Sequence, residues 1–302
     1  MSADAQPDRL LRFLLEQAGI RGVYASLDDT WQQIRCRADY PPRIAGLLGE
    51  AVAAAALFTG HIKVDGRLSV QVRGSGPLRT LFAECTGAGT LRGIATLAED
   101  ATVPDGAILR ALGDDALLAI TVENPGALGQ DPTRYQGLVS LDADALSEAF
   151  EGYFRQSEQL PTRLLLAADG ERVSGLLLQK LPGDTGDDDG WNRASVLFDT
   201  LTATELLETP AEALLHRLFH EDGVRLLGER PLRFACSCSR ERVSAMLESL
   251  GEGEARAAAE DNAGVAEIRC EFCGEAYLYS EAEIADLFVP RPTPLEAPER
   301  LQ

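Results

Sequence analysis

Positive charge is scarce in this chain, which has 28 Lys and Arg residues against 48 Asp and Glu residues and a formal net charge of −20 at pH 7. Binding to nucleic-acid backbones requires the opposite charge, so this balance argues against a nucleic-acid partner. An acidic surface also resists self-association. It would therefore keep a protein in solution while apolar surface is exposed.

Long apolar runs are also missing. The most apolar stretch, residues 51–58, is far shorter than the roughly 20 residues that span a bilayer. The first eight residues carry two acids and lack the basic stretch and apolar run of a secretory signal. We therefore expect a protein of the cytoplasm with no membrane partner.

The chain of 302 residues is long enough for two domains, and its 45% of hydrophobic residues can form a substantial core. Over the first 180 residues, patterns typical of strands and of helices fall in separate blocks, which indicates an α+β fold. We expect helices over Leu10–Ala18, from Pro42 through Ala55, and over about 145–159. We expect strands around 68–72, 78–81, 117–122, 135–141, 163–168 and 173–178.

The rest of the chain predicts a connector followed by a small domain. Residues 181–190 are acidic and glycine-rich, which is typical of a linker. Residues 191–231 predict a helical connector whose apolar stripe needs a surface to pack on. That stripe consists of Leu214, Leu215, Leu218 and Phe219. Beyond 233 we expect a helix capped by Ser239, a polar spacer over 252–264, a strand through Cys270 and a short helix begun by Ser280 and Glu283.

The predicted domain plan therefore has four parts. A mixed core domain covers 1–180, a helical linker 181–232, a small zinc-binding domain 233–291 and a flexible tail 292–302.

Cysteine is concentrated near the end of the chain. Four of the six cysteines form two close pairs, Cys236-Ser-Cys238 and Cys270-Glu-Phe-Cys273, separated by 31 residues. In a reducing compartment such pairs indicate a metal or redox site rather than permanent disulfides. Four thiolates are typical ligands of a tetrahedral zinc ion, and Gly274 eases the tight turn after the second pair. We expect one Zn²⁺ per chain.

Two roles for that zinc site remain open, a structural staple and a redox switch. The segment has few apolar residues, so zinc binding and folding should be one event, on the order of 10 kcal/mol. The single residue between Cys236 and Cys238 is unusual for a structural site, because a disulfide there closes a small, strained and easily reduced ring. Oxidants attack thiolates, so oxidation would release the metal. These features favour the switch.

The same motifs carry a family resemblance. Cys236-Ser-Cys-Ser-Arg-Glu-Arg-Val243 and Cys270-Glu-Phe-Cys-Gly274 resemble the zinc motifs of the redox-regulated 33-kilodalton heat-shock chaperone family (heat shock protein 33). The resemblance covers most of residues 10–290. Core motifs of the family are resembled by Tyr40-Pro41, Leu47–Glu50, Gly74–Pro77, Arg134–Gly137 and Tyr153–Thr162, and the end of its linker by Leu214–His220.

The resemblance implies a mechanism and partners. It implies zinc ligation by Cys236, Cys238, Cys270 and Cys273 in the reduced state, and oxidation to the disulfides Cys236–Cys238 and Cys270–Cys273. It further implies that the linker then unfolds, that the protein forms a homodimer, and that unfolded client proteins bind without ATP and pass later to an ATP-dependent chaperone system. The implied protein acts in the stress response and is not an enzyme, so no residue is catalytic. The client-binding residues are not identified by the sequence.

Two other functions fit parts of the sequence, and each is opposed by an observation. A thiol–disulfide oxidoreductase could use Cys270 and Cys273, but that pair does not lie between a strand and a helix of a βαβ unit. A zinc-ribbon nucleic-acid module is opposed by the acidic balance, which Arg240 and Arg242 do not offset.

Other candidate residues have simpler explanations. His216 and His220 lie four apart, but the sequence between them lacks the Glu of a zinc-protease motif. Ser75 has no nucleophile-elbow context. The lone Cys36 and Cys85 are expected to be buried, inert thiols.

Overall fold

The computed structural model describes residues 8–103, 108–126, 131–183, 186–260, 262 and 264–289. The chain divides into two compact units, Met1–Cys236 and Ser237–Gln302. The predicted tail, 292–302, lies outside the described residues, and the four-part domain plan stays a prediction.

The described part of the first unit contains strands and helices in separate blocks. Its strands are β1 (Arg9–Leu15), β2 (Ile20–Leu27), β3 (Arg67–Arg73), β4 (Leu78–Thr86), β5 (Thr90–Leu97), β6 (Leu117–Asn124), β7 (Thr133–Ser140), β8 (Thr162–Ala168), β9 (Val173–Lys180), β10 (Val224–Pro231) and β11 (Arg233–Phe234). Its helices are α1 (Asp29–Arg35), α2 (Pro42–His61), α3 (Leu146–Ser157), α4 (Gly190–Asp199), α5 (Ala203–Glu208) and α6 (Ala211–Phe219). The α+β prediction is confirmed.

The first sheet has the strand order β10-β1-β2-β9-β8, with antiparallel neighbours throughout. The helix predicted over Leu10–Ala18 is wrong, because residues 9–15 form β1 in the middle of this sheet. Leu10 packs into one hydrophobic cluster, and Phe13 and Leu15 into another on the opposite face. The strand carries apolar side chains on both faces, although Arg12 is exposed, so its apolar run resembles that of a helix and periodicity misassigned it.

The second sheet has the order β11-β5-β4-β3-β6-β7, in which only β11 runs parallel to its neighbour. The alternation predicted for β3 is confirmed. Leu68, Val70 and Val72 are fully buried, while Ser69 and Gln71 between them are partly exposed. The strands predicted around 78–81, 117–122 and 135–141 are also present, as β4, β6 and β7.

Helix α2 packs against strands of both sheets. Residues 51–58 are all buried, so the helix is enclosed rather than amphipathic. It is long and apolar enough to cross a membrane by composition, yet 89% of the relevant window is buried within the protein. Burial raises the pKa of Glu50 on this helix to about 7. Helix α2 is therefore the core helix of the first unit.

The other face of the first sheet is covered by the predicted connector. Phe198 of α4 and the stripe of α6 pack with Phe13, Leu15 and other residues of β1, β2 and β9. The stripe of four apolar residues on α6 thus has the surface that it needs. The prediction of helix through 231 is wrong at its end, because 224–231 form β10. Most of its side chains are exposed, and backbone pairing with β1 specifies the strand.

The second unit is small. Its described elements are α7 (Arg240–Leu250), α8 (Glu252–Glu260), β12 (Val265–Arg269), β13 (Ala276–Ser280) and α9 (Glu281–Leu287). The predicted caps are confirmed: Ser239 accepts from the Arg242 amide, and Ser280 and Glu283 form a capping box. The predicted spacer is wrong, because residues 252–260 form a helix that buries Ala255 and Ala259.

Candidate metal centre

The two cysteine pairs lie on different kinds of backbone. Cys236 and Cys238 belong to the short extended segment between β11 and α7, and the boundary of the second unit falls after Cys236. Cys270 and Cys273 lie in the turn between β12 and β13. This antiparallel turn is not the strand-to-helix context of a disulfide oxidoreductase.

The second pair sits in a tight turn whose backbone hydrogen bonds converge on Cys270. The Gly274 amide donates to the Cys270 carbonyl, and the Cys270 amide donates to the Glu275 carbonyl, each at 2.8 Å. Gly274 has φ of +73°, a conformation that favours glycine over residues with a Cβ atom. The turn therefore holds Cys270 and Cys273 close together.

The four sulfur atoms converge on one point. The Sγ atoms of Cys236, Cys238, Cys270 and Cys273 all lie within 4.8 Å of one another. Those of Cys238 and Cys273 are 3.3 Å apart. Zinc–sulfur bonds of about 2.3 Å in a tetrahedron place sulfur atoms somewhat under 4 Å apart. The cluster therefore has the dimensions and the soft donors of a structural metal site, and it could hold one metal ion.

The segment of the first pair is fixed by hydrogen bonds within the second unit. The Ser239 side chain accepts from the Arg242 amide at 3.3 Å, and the Arg242 guanidinium donates to the Ser237 carbonyl at 2.9 Å. These bonds start α7 directly after Cys238. An ordered helix start limits the positions that the Cys238 sulfur can take.

Two tyrosines of β13 contact Cys238 and the first turns of α7. The Tyr277 hydroxyl donates to Sγ of Cys238 at 3.2 Å, and that hydrogen bond is the main reason why the pKa of Tyr277 is raised. The Tyr279 hydroxyl donates to the Arg240 carbonyl at 2.9 Å and lies 2.9 Å from Oγ of Ser244. Sequence reasoning missed both residues. The available signal was the Tyr-Leu-Tyr alternation after the second pair, which places both rings on one face of a strand.

The two lone cysteines differ from each other. Cys85 is buried, as predicted, and burial raises the pKa of its thiol to about 11. Cys36 is exposed, so the prediction of a buried thiol is wrong there. Cys36 follows the last residue of α1, a short helix that packs with one face only. Within the described ranges, neither belongs to a potential metal site.

The remaining candidates have structural explanations. The rings of His216 and His220 stack at 5.3 Å, and Nδ1 of His220 lies 3.1 Å from the carbonyl oxygen of His216. Ser75 lies in the turn before β4, and its hydroxyl donates to the carboxylate of Asp115. Over the described part of the chain, the cysteine cluster is the one group of metal-ligating side chains with suitable geometry.

An α+β unit followed along the chain by a four-cysteine cluster defines a class of protein with a potential metal centre, and the comparisons with known proteins narrow that class. The model of the Hsp33 protein family matches residues 8–280. The chain therefore belongs to the Hsp33 family, and the resemblance predicted from the motifs is confirmed.

Individual relatives agree with this assignment. The 33 kDa chaperonin of Ectopseudomonas mendocina is 44% identical over 282 residues, covering 92% of this chain and 94% of the relative. That of Pseudomonas putida KT2440 is 43% identical over 293 residues, covering 95% and 96%. The crystal structure of the 33 kDa chaperonin from Thermotoga maritima matches with a TM-score of 0.78 at 22% identity, covering 93% of this chain and 98% of that one. Family and relatives together support a chaperone function.

Proposed function

We propose that this chain is a redox-regulated, ATP-independent holdase chaperone of the cytoplasm. The observation that carries the proposal is the convergence of Cys236, Cys238, Cys270 and Cys273 within 4.8 Å in a member of the Hsp33 family. In the reduced state these four thiolates hold one Zn²⁺ per chain. A site of four thiolates belongs in a reducing compartment, which supports the cytoplasm.

Metal, when bound, supplies a cross-link among four thiolates that the small second unit needs in order to stay folded. The described part of this unit buries few hydrophobic side chains, two of them alanines of α8. The buried set consists of Leu247, Ala255, Ala259, Ala266, Tyr279 and Ile284. A core of this size contributes little without a staple. Loss of the cross-link should therefore unfold the unit.

The activating step is oxidation of the sulfurs by a peroxide. Cys236 with Cys238, and Cys270 with Cys273, each give two electrons to one molecule of hydrogen peroxide. One S–S bond forms and one O–O bond breaks per pair, and two water molecules form after proton uptake. A disulfide sulfur is a poor metal ligand, so the ion leaves.

Unfolding then extends to the linker, 181–232. Helices α4 to α6 cover an apolar face of the first sheet that includes Phe13, Leu15 and Leu176. Their release exposes this face to unfolded client proteins, and the net charge of −20 keeps the complex in solution. The oxidised chain forms a homodimer, and bound clients pass later to an ATP-dependent chaperone system. These steps make it a protein of the stress response and not an enzyme.

The test compares reduced protein with protein treated with peroxide at mildly elevated temperature. The oxidised form should release one Zn²⁺ per chain, lose helix content and suppress the aggregation of a thermally unfolding client. The variant Cys36→Ser, which removes an exposed thiol outside the cluster, should behave like the wild type. Equal client protection by both redox forms, or by neither, would refute the switch.

A further inference from the structure

Strand β13 contains two tyrosines that contact different groups, Tyr277 the sulfur of Cys238 and Tyr279 helix α7. Tyr277 and Tyr279 are two residues apart and so lie on the same face of the strand. Both are anchored by antiparallel pairing with β12, Tyr277 opposite Ile268 and Tyr279 opposite Ala266. This pairing fixes the positions of both side chains along β13.

Only one of the two hydroxyls contacts a sulfur among the described contacts. Tyr277 donates to Sγ of Cys238 at 3.2 Å, within the range of a hydrogen bond to sulfur. Tyr279 donates to the carbonyl oxygen of Arg240 and contacts Oγ of Ser244, and the Arg240 guanidinium lies 4.3 Å above its ring. The second tyrosine therefore holds the backbone, while the first acts on a proposed metal ligand.

We propose that Tyr277 is a positioning residue that restrains the reactivity of the Cys238 sulfur toward oxidants. This inference rests on the proposed function and extends it from the four cysteines to the group that sets how readily one of them reacts. Partners of metal ligands outside the ligand set orient those ligands and tune the metal, and their removal typically costs about 10- to 100-fold in metal affinity.

The physical reason lies in the electron pair that performs the chemistry. In reaction with hydrogen peroxide, the Cys238 thiolate attacks one peroxide oxygen, an S–O bond forms, the O–O bond breaks and hydroxide leaves. The sulfur loses two electrons and the peroxide gains them. A phenol proton bonded to that sulfur withdraws electron density from the attacking lone pair, and thiolate nucleophilicity falls with basicity along a Brønsted slope of about 0.4–0.5.

The chain offers a matched pair of variants. Tyr277→Phe removes the hydroxyl that contacts sulfur and keeps the ring, which packs at the edge of the hydrophobic cluster of the second unit. Tyr279→Phe removes a hydroxyl from the same face of the same strand and leaves the sulfur contact in place. A general loosening of the unit would affect both variants, whereas an effect on sulfur affects the first alone.

The experiment uses the full-length, zinc-loaded chain. Wild type and both variants are treated with hydrogen peroxide, quenched at intervals, labelled at the remaining thiols and digested. The oxidised fraction of each cysteine is then measured by mass spectrometry. Tyr277→Phe should oxidise Cys238 about 3-fold faster or more. Cys273 in the same molecules serves as the internal reference, and its rate should change less than that of Cys238.

A second measurement keeps the inference testable if the first variant holds zinc weakly. Competition with a chelator, without oxidant, should give an affinity about 10-fold weaker for Tyr277→Phe and a smaller loss for Tyr279→Phe. Equal Cys238 oxidation rates in wild type and Tyr277→Phe, or an equal acceleration in both variants, would overturn the inference. A wild type that is oxidised at Cys238 but fails to protect a client would overturn the proposed function and leave the role of Tyr277 intact.

Discussion

The two units of this chain are stabilised in different ways. In the first, a 20-residue helix packs against two sheets, and its residues 51–58 are buried from end to end. In the second, helices α7 to α9 and one hairpin bury six hydrophobic side chains among the described residues, and three of the four converging sulfurs, those of Cys238, Cys270 and Cys273, belong to it. Burial of apolar surface stabilises the first unit, whereas the core of the second is small, and we propose that thiolate ligation stabilises it.

This difference determines which of the two units an oxidant can affect. The core of the first unit consists mainly of Leu, Val, Ala and Phe side chains, which a mild oxidant does not alter. A fold that depends on thiolate ligation is sensitive to such an oxidant, because the residues that react are the ones that hold it together. The contrast predicts distinct responses to metal removal, cavity formation, pH and loss of a helix cap.

Metal removal should have the largest effect, and it should be confined at first to the second unit. Chelation, or the substitution Cys273→Ser, should remove on the order of 10 kcal/mol of apparent folding free energy from residues 237–289. Hydrogen exchange followed by mass spectrometry should show loss of protection there, while peptides from α2 stay protected. Cys36→Ser is the control, and it should change neither the protection of residues 237–289 nor that of α2. If β12 and β13 stayed protected from hydrogen exchange after chelation, the proposed difference in stabilisation between the two units would be contradicted.

A cavity in the first unit should destabilise that unit and leave zinc affinity unchanged. Phe58 packs edge-on against Phe150 and Phe154, with ring centroids 4.9 and 5.0 Å apart. Phe58→Ala should cost about 3–5 kcal/mol, because the enclosed helix cannot collapse onto the space left behind. Both tryptophans, Trp31 and Trp191, belong to the first unit, so their fluorescence during urea unfolding measures it selectively.

Zinc affinity is the second measurement for that variant. It should be unchanged in Phe58→Ala, since the core and the metal centre are stabilised independently. The truncation Leu250→Ala, at an exposed position of α7, should change the tryptophan unfolding curve by less than about 0.5 kcal/mol. A large loss of zinc affinity in Phe58→Ala would show that the two units do not differ in the way described.

The contrast also explains what the sequence could and could not predict. The convergence of the four cysteines was predictable because ligation by thiolates needs cysteines at short spacings, and the spacing within each pair is a local pattern. Helix α2 and strand β3 were predictable because their periodicity extends over several residues. The caps at Ser239 and Ser280 depend on neighbours three residues away, and they too were found.

The errors occur where tertiary pairing overrides local pattern. Strand β1 carries apolar side chains on both faces, so its sequence shows no period of two. Strand β10 exposes most of its side chains, and only its pairing with β1 specifies a strand. The bond from Tyr277 to Cys238 joins residues 39 positions apart, and no local pattern predicts it.

A smaller effect should come from the titration of Glu50. Burial raises the pKa of this carboxyl to about 7 in the folded protein, against 4.5 for the ordinary side chain. The folded state therefore holds a proton that the unfolded state releases at lower pH, so stability is lost as the pH rises from about 4.5 to about 7 and changes little above that. Glu50→Gln should gain about 1–3 kcal/mol relative to the wild type between pH 5 and pH 8.

The measurement is the urea midpoint of tryptophan fluorescence at the two pH values. The variant Glu171→Gln alters an exposed carboxylate of the same unit and should leave the pH dependence of the wild type unchanged. If the urea midpoints of Glu50→Gln and the wild type differed by the same amount at pH 5 and pH 8, the raised pKa of Glu50 would be contradicted.

The smallest effect makes the sharpest comparison, because both units contain the same capping box. Ser280 pairs with Glu283 at the start of α9, and Thr202 pairs with Glu205 at the start of α5. Ser280→Ala should cost about 1 kcal/mol. Under the proposed function, folding and ligation are one equilibrium in the second unit, so this cost should appear as a zinc affinity weaker by about 5-fold. Thr202→Ala should cost a similar amount in the tryptophan unfolding curve and weaken zinc affinity less than Ser280→Ala does, since α5 packs on the first sheet and lies outside the unit that contains Cys238, Cys270 and Cys273. Equal losses of zinc affinity in the two variants would mean that the metal centre depends on the fold of the whole chain rather than on its own small unit.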